Sequence, residues 1–443
     1  MLEKRGAGVL FHISSMPGDY GVGVFDENAL HFIDKISEMG FTYWQVLPFN
    51  PLDGANSPYC SPSAFAGNYL FINPKGLVED GLVTEADAAD NIYTGSPYTA
   101  DYEFAAEHRY KLLKKAFLNI DDETAKNIKQ FELENPWLTD YAVFMAVKEQ
   151  NGGAPWWQWS EKQARYFNCV KDIFSYEESA AFWEFVQYIF FKQWFEIKKY
   201  ANEKGIAVIG DMPFYVAMDS VDVWADLPLF EIDEKTLTAK KVAGVPPDYF
   251  SENGQLWGNP IYNWEIMKKD GYKWWLSRLG AALKTYDIVR IDHFRAFASY
   301  WEVPADSETA KTGEWIKGPG MDLFKKVFEK FPDAPVIAED LGVFGEDVTQ
   351  LLKDTGFPGM KVVQFGFDPN SDSSHMPHNA TQNSINYVGT HDNNTLLGWL
   401  WEASEQERKF ALDYAGFEGD NWGEGGYHSP SCRKIIECVW RSS

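Results

Sequence analysis

Seven short apolar runs punctuate the chain, and each is followed at once by polar or charged residues. They are "GVLFHISS" (8–15), "FTYWQVLPF" (41–49), "GIAVIGDMPF" (205–214), "DIVRIDHF" (287–294), "APVIAEDLG" (334–342), "GMKVVQFGF" (359–367) and "INYVGTHDNN" (385–394). Each is about strand length, rich in Val, Ile or aromatics, and bounded by Gly, Pro, Asp or Asn, which predicts a strand. Helical periodicity fills most of the intervals. "ENALHFIDKISEMG" (27–40) puts Leu30, Ile33 and Ile36 on one face and stops at a C-cap glycine, Gly40. "SAAFWEFVQYIFFKQWFEIKKYANEKG" (179–205) predicts a long helix closing at Gly205, and "MDLFKKVFEKF" (321–331) predicts another ahead of the fifth run. Helix followed by strand, repeatedly, is the pattern of a parallel α/β sheet. Polar residues at the trailing strand ends suit a (β/α)8 TIM-type barrel, whose site is built there. A doubly wound open sheet is the alternative, but no GxGxxG loop follows the first strand.

Two intervals exceed what a βα connection needs. Residues 50–204 predict a mostly helical insertion between the second and third strands. Residues 215–286 form a second insertion, and its segment 242–264, "VAGVPPDYFSENGQLWGNPIYNW", reads as an ordered loop over a site. The expectation is one barrel domain over 1–443. No repeat of 20–50 residues is present. The pattern supplies seven strands, and no strand follows the helical tail "SPSCRKIIECVWRSS", so the last strand and helix of the barrel are not among the elements it predicts.

Charge narrows the partners. The 443 residues carry 40 Lys and Arg against 65 Asp and Glu, a formal charge of −25, which argues against a nucleic-acid partner. Cys60, Cys169, Cys432 and Cys438 form no CxxC pair and are too sparse for a disulfide framework. With no apolar leader in "MLEKRGAGVLFH" and no apolar run approaching ~20 residues, a cytoplasmic protein with no membrane segment is expected. Aromatics make up 16 %, with 18 Trp, 22 Tyr and 32 Phe. A large core uses many of them; flat apolar sugar faces stacking on exposed rings is the other reading, and both stay open here.

Acids mark four of the strand ends: Asp211, Asp292, Glu339 or Asp340, and Asp392 beside His391. Arg290 and Asp292 are two apart on a strand and so share a face. A guanidinium there would keep Asp292 ionised, as a nucleophile requires. Glu339 follows the apolar "PVIA", and a partly dry setting would suit it to donate a proton. One carboxylate kept charged and one kept protonable is the division of labour in retaining glycoside chemistry. An internal Arg–Asp salt bridge without chemistry is the bland alternative. A metal-dependent hydrolase is a rival with thin ligand supply: the first strand offers only His12, and the chain has eight His in all.

Six stretches then resemble, in order and across almost the whole chain, the 4-α-glucanotransferase (amylomaltase, or disproportionating enzyme) family of α-amylase-like barrels. They are "SPYCSPSAFAGN" (57–68), "GDMPFYVAMDSVDVWA" (210–225), "VAGVPPDYFSENGQLWGNP" (242–260), "VRIDHFRAF" (289–297), "AEDLG" (338–342) and "GTHDNNT" (389–395). The resemblance implies Asp292 as nucleophile, Glu339 as general acid/base and Asp392 as transition-state stabiliser. It implies sugar contacts for Arg290, His391, Asp211, His293, Ser57 and Tyr59, the last stacking at the cleavage point. Trp257 and the Tyr249–Phe250 pair would cover the acceptor side. The implied substrates are α-1,4-glucans and maltooligosaccharides, with no metal or organic cofactor, and the implied reaction is transfer of a glucan segment to another 4-hydroxyl. Family members usually continue some fifty residues further with the eighth strand, a closing helix and donor-side contacts. A glucan-binding chain without turnover and a retaining hydrolase are therefore the alternatives.

Overall fold

The computed structural model describes residues 5–96, 98–168, 177–247, 251–342 and 345–442. Two compact units emerge, one of residues 1–290 with 299–335, the other of residues 291–298 with 336–443. The first carries β1 (Gly8–Leu10), β2 (Tyr43–Gln45), β3 (Ala207–Met212), β4 (Ile232–Asp233), β5 (Thr238–Ala239), β6 (Lys241–Val245), β7 (Gln255–Pro260), β8 (Ile288–Ile291), β9 (Ser299–Pro304) and β10 (Glu314–Lys317). The second takes the last residue of β8 and holds β11 (Val336–Ala338), β12 (Gly359–Val362) and β13 (Ser384–Tyr387).

In the first unit β1, β2 and β3 pair in parallel, Gly8 opposite Tyr43 and Tyr43 opposite Ala207, and β8 follows β3 in the order. The Asp287 N–H donates to Val208 O at 3.0 Å at the start of β8, while the Asp287 carboxylate accepts the Val208 N–H at 2.8 Å. Strand β8 is buried at all four positions, as expected for a strand covered on both faces. In the second unit the Glu339 N–H donates to Ile291 O at 3.0 Å, and β11, β12 and β13 pair in parallel. These seven strands are the seven runs predicted from the pattern.

Between β2 and β3 the described residues are mostly helical. Four long helices, Tyr102–Phe117, Asp122–Glu134, Trp137–Gln150 and Glu177–Glu203, dominate. The last ends just before Gly205, whose φ of 78° is the left-handed C-cap conformation that glycine adopts without steric cost. Glu27–Glu38 closes the same way at Gly40, after starting on an Asp26 carboxylate that accepts the Asn28 N–H. Much of the aromatic content goes inside: Phe25, Phe49, Phe71, Phe190 and Trp194 meet edge-on around one centre, and Trp44, Trp156, Trp194 and Trp224 are fully buried.

Within 242–264, expected as an ordered loop, the second excursion carries two strands that the pattern did not predict. Strands β6 and β7 form an antiparallel hairpin inside a four-stranded sheet of order β10-β9-β6-β7. Its strands escaped the pattern because β7, "QLWGNP", exposes four of its six residues and mixes Gly, Asn and Pro with Trp. The second unit has its own core of Val363, Phe367, Met376, Leu400, Ala411, Ile435 and Val439. Among the described residues no helix is long and apolar enough to cross a membrane, and Cys60, Cys432 and Cys438 are free thiols.

Candidate active site

The predicted acids and Arg290 lie at or just past the carboxyl ends of parallel strands, Asp211 and Arg290 in the first unit and Asp292, Glu339 and Asp392 in the second. In the first, β3 carries Asp211, only 2 % exposed, and β8 carries Arg290, equally buried. Arg290 Nη1 donates to Asp211 Oδ1 at 2.6 Å, and Tyr59 Oη donates to Asp211 Oδ2 at 2.7 Å. Both carboxylate oxygens thus have a donor, the condition for keeping a charge in a dry place. The sequence reading grouped Arg290 with Asp292; the ion pair to Asp211 was not anticipated, because the two lie 79 positions apart in the chain.

Tyr59 is aimed by a tightly tied turn. Asp53 Oδ1 accepts the Ala55 and Ser57 N–H groups, both at 2.8 Å, and Asn56 takes a φ of 60°. Ser57 Oγ accepts the Tyr59 N–H at 3.3 Å, so its hydroxyl caps the short 3-10 turn Pro58–Cys60. Downstream, Asn50 Nδ2 donates to Ser63 O and Ala66 O, and the Ala64 N–H donates to Asp222 Oδ2 at 2.8 Å. Burial pushes the Asp222 carboxyl up to about 6, against the pull of the Ala64 amide and the charge of Arg278. Asp222 stands in the quoted stretch 210–225 but gave no signal of its own, since an acid two residues after Ser220 reads as an ordinary first-turn residue. Trp257 sits on β7, 36 % exposed, its indole N–H donating to Gln255 Oε1 at 3.0 Å. Tyr249 and Phe250 lie outside the described residues.

In the second unit Asp292 is the first residue past β8 and is half-buried. The chain turns there through His293, whose φ of 51° is left-handed. That turn aims the His293 N–H at Glu339 Oε2, 2.8 Å away, while the Leu341 N–H reaches Glu339 Oε1 at 2.9 Å. Two amides therefore fix the Glu339 carboxylate one residue beyond β11. Its neighbour Asp340 faces the sheet instead: Oδ1 accepts the Met360 N–H at 2.5 Å, Oδ2 lies 4.0 Å from Lys361 Nζ, and burial raises its pKa. The His293 imidazole is held neutral, its pKa driven well down by desolvation and then by the Arg295 charge.

After β13, the Asn393 Oδ1 accepts both the N–H and the hydroxyl of Thr390, closing a turn that presents His391 and Asp392. His391 Nε2 lies 3.3 Å from Asp392 Oδ1, and Asp392 is exposed. Gln364, buried just past β12, donates from Nε2 to Asn394 O at 3.0 Å and pins this turn. Neither Gln364 nor Asp222 was legible as a support, because their partners are backbone groups of distant segments. Among the described residues no three His, Cys, Asp or Glu side chains cluster as a metal site would need.

Comparison with known proteins places the chain in one family. The family model for 4-alpha-glucanotransferase matches residues 11–443. A 4-alpha-glucanotransferase of Streptococcus pneumoniae is 47 % identical over 422 residues, covering 93 % of this chain and 83 % of that protein. One from Clostridium butyricum is 42 % identical over 438 residues, covering 97 % and 88 %. Among solved structures, the amylomaltase from Streptococcus agalactiae in complex with acarbose superimposes with a TM-score of 0.93 at 39 % identity, over 99 % of this chain and 88 % of that one. A superposition of that quality over nearly the whole chain makes the α/β barrel fold of amylomaltase the fold of this protein. The chain belongs to the 4-alpha-glucanotransferase family.

Proposed function

We infer that this chain carries out the family's transfer of α-1,4-glucan segments by double displacement, with Asp292, Glu339 and Asp392 as its catalytic acids. Asp292 attacks the anomeric carbon while Glu339 protonates the glycosidic oxygen, and the reducing-end fragment leaves. The glucosyl ester on Asp292 is then attacked by the 4-hydroxyl of a second glucan as the Glu339 carboxylate removes that hydroxyl's proton, and the Asp292 carboxylate is released. Asp392, beside His391, would grip sugar hydroxyls more strongly as the ring flattens.

The observation that carries this reading is the placement of Asp292 and Glu339 one residue past β8 and β11, with Glu339 clamped by the backbone amides of His293 and Leu341. Tyr59, anchored through its hydroxyl to Asp211, keeps its ring as a stacking face. Ser57, Asp211, Arg290 and His293 act in this reading as supports and sugar contacts, with Trp257, Tyr249 and Phe250 on the acceptor side. The substrates are α-1,4-glucans and maltooligosaccharides, and the cytoplasm is the compartment this reading assigns.

Incubation with maltotriose alone tests it. Glucose together with maltopentaose and longer products is the expected outcome, falling by at least about a thousandfold in Asp292→Asn, as removal of a covalent nucleophile does elsewhere. Glucose and maltose alone would make the protein a hydrolase. Turnover no faster than that of Asp292→Asn would reduce it to a glucan-binding protein.

A further inference from the structure

Two indole rings lie on the surface of the second unit with no part in the chemistry above. Trp401, on the helix Leu396–Glu402, is 62 % exposed, and half-buried Trp422 stands beside it with ring centroids 4.8 Å apart. The pair is braced. Arg408 lies over the Trp422 ring at 4.5 Å, and its guanidinium is fixed by Ala403 O at 3.0 Å and Leu400 O at 3.3 Å. Ser431 Oγ donates to Trp422 O at 2.6 Å and fixes the backbone beneath the ring. Trp401 rests directly on Gly423: a β-carbon at 423 would lie 2.5 Å from its ring, a distance real atoms do not tolerate.

We propose that Trp401 and Trp422 form a second carbohydrate-binding platform, separate from the catalytic acids, that takes a polymeric α-glucan chain. The surroundings select for a neutral ligand. Glu402 follows Trp401, Asp420 and Glu424 flank Trp422 two positions away on either side, and all three are exposed; against the single Arg408 charge at Trp422 they disfavour nucleic acids and anionic lipid surfaces. The same carboxylates, with Asn421 and with Asn394 (whose amide already reaches Glu402 at 2.7 Å), supply acceptors and donors for sugar hydroxyls. Apolar sugar faces then find two fixed rings that lose little conformational freedom on binding. The helix that carries Trp401 begins four residues after Asp392, which keeps the platform within roughly 22 Å of that acid along the chain. A polymer held on Trp401 is long enough to be delivered to the acids; maltotriose is too short to use both.

Native electrophoresis through gels containing amylose, together with maltotriose kinetics, separates the outcomes. Trp401→Ala should migrate with an amylose dissociation constant raised about fivefold, while its maltotriose turnover stays within about twofold of the parent. Gly423→Leu, which unseats the Trp401 ring without removing it, should weaken amylose binding in the same direction. Unchanged amylose retardation in Trp401→Ala would overturn the proposal. So would an equal loss of maltotriose turnover, or a change in oligomeric state by light scattering with amylose binding intact, which would mark the rings as a protein contact. A parent that is retarded by amylose but inactive on maltotriose would defeat the transfer reading and leave the platform standing.

Discussion

At the scale of single residues, the buried Asp211 shows why the charges in the β8 segment are tolerable. Its carboxylate is flanked by Arg290 and Tyr59, so neither charge faces the interior alone. Removing one partner of such a pair strands the other, at a cost of about 3–5 kcal/mol. Arg290→Ala should therefore lower unfolding stability by that amount in urea, in addition to any loss of turnover. A purely substrate-contacting arginine would cost activity without stability. His375 makes a different prediction. Its Nδ1 accepts the Val362 N–H at 3.1 Å, and burial, followed by the charge of Lys361, brings its pKa down to about 4 from an ordinary 6.5. The folded state thus favours the neutral ring, so its contribution is complete above pH 6.5 and disappears as pH falls towards 4. Asp222, raised to about 6, works in the opposite sense and gains as pH falls towards the ordinary carboxylate range. Comparing wild type with His375→Gln isolates the first effect: the urea midpoint of wild type should fall more steeply between pH 6.5 and 4.

Among the elements, the long helix Glu177–Glu203 does more than fill the interval between β2 and β3. From it Gln187 exchanges two hydrogen bonds with Gly67, accepting its N–H at 2.7 Å and donating to its C=O at 2.9 Å. Gln193 does the same for Asn73, at 2.7 and 3.3 Å. Gly67 itself lies against the Phe190 ring, where a β-carbon would come within 2.1 Å. The helix therefore holds the far end of the segment that bears Tyr59. Gln187→Leu leaves both Gly67 backbone groups without partners in a buried place, and should cost about 2–4 kcal/mol in urea unfolding. The helices were legible because their periodicity and terminal glycines are local signals, as at Gly40 and Gly205. The sheet of β6, β7, β9 and β10 was not. Its pairs such as Glu302 opposite Glu314 make sense only once Lys241 is seen bridging them, and that bridge spans more than sixty residues.

For the molecule as a whole, seven parallel strands could be read from apolar runs because each run ends in residues that no buried strand would otherwise carry. The acids at 211, 292, 339 and 392 were legible for the same reason, while their supports at Asp222 and Gln364 were not, being set by tertiary contacts alone. The division into two units falls between Arg290 and Ile291, inside a single strand that read as one motif. Net charge adds a test at this scale. With −25 on the chain and an uncharged substrate, long-range attraction has no part in binding. The KM for maltotriose should change by less than about twofold between about 0.05 and 0.5 M salt, since only charge–charge encounters are screened over that range.

The left-handed turn at His293 restricts which sequences can occupy the end of β8. A φ of 51° is open to glycine, asparagine and aspartate, strained for most other residues, and closed to proline, whose ring fixes φ near −65°. Because the same turn aims an amide at Glu339, substitutions at 293 that relax the backbone also shift the Glu339 carboxylate. Mutational drift at this position is thus confined by stereochemistry before selection on imidazole chemistry begins, and the shortest neutral path away from histidine runs through asparagine or aspartate.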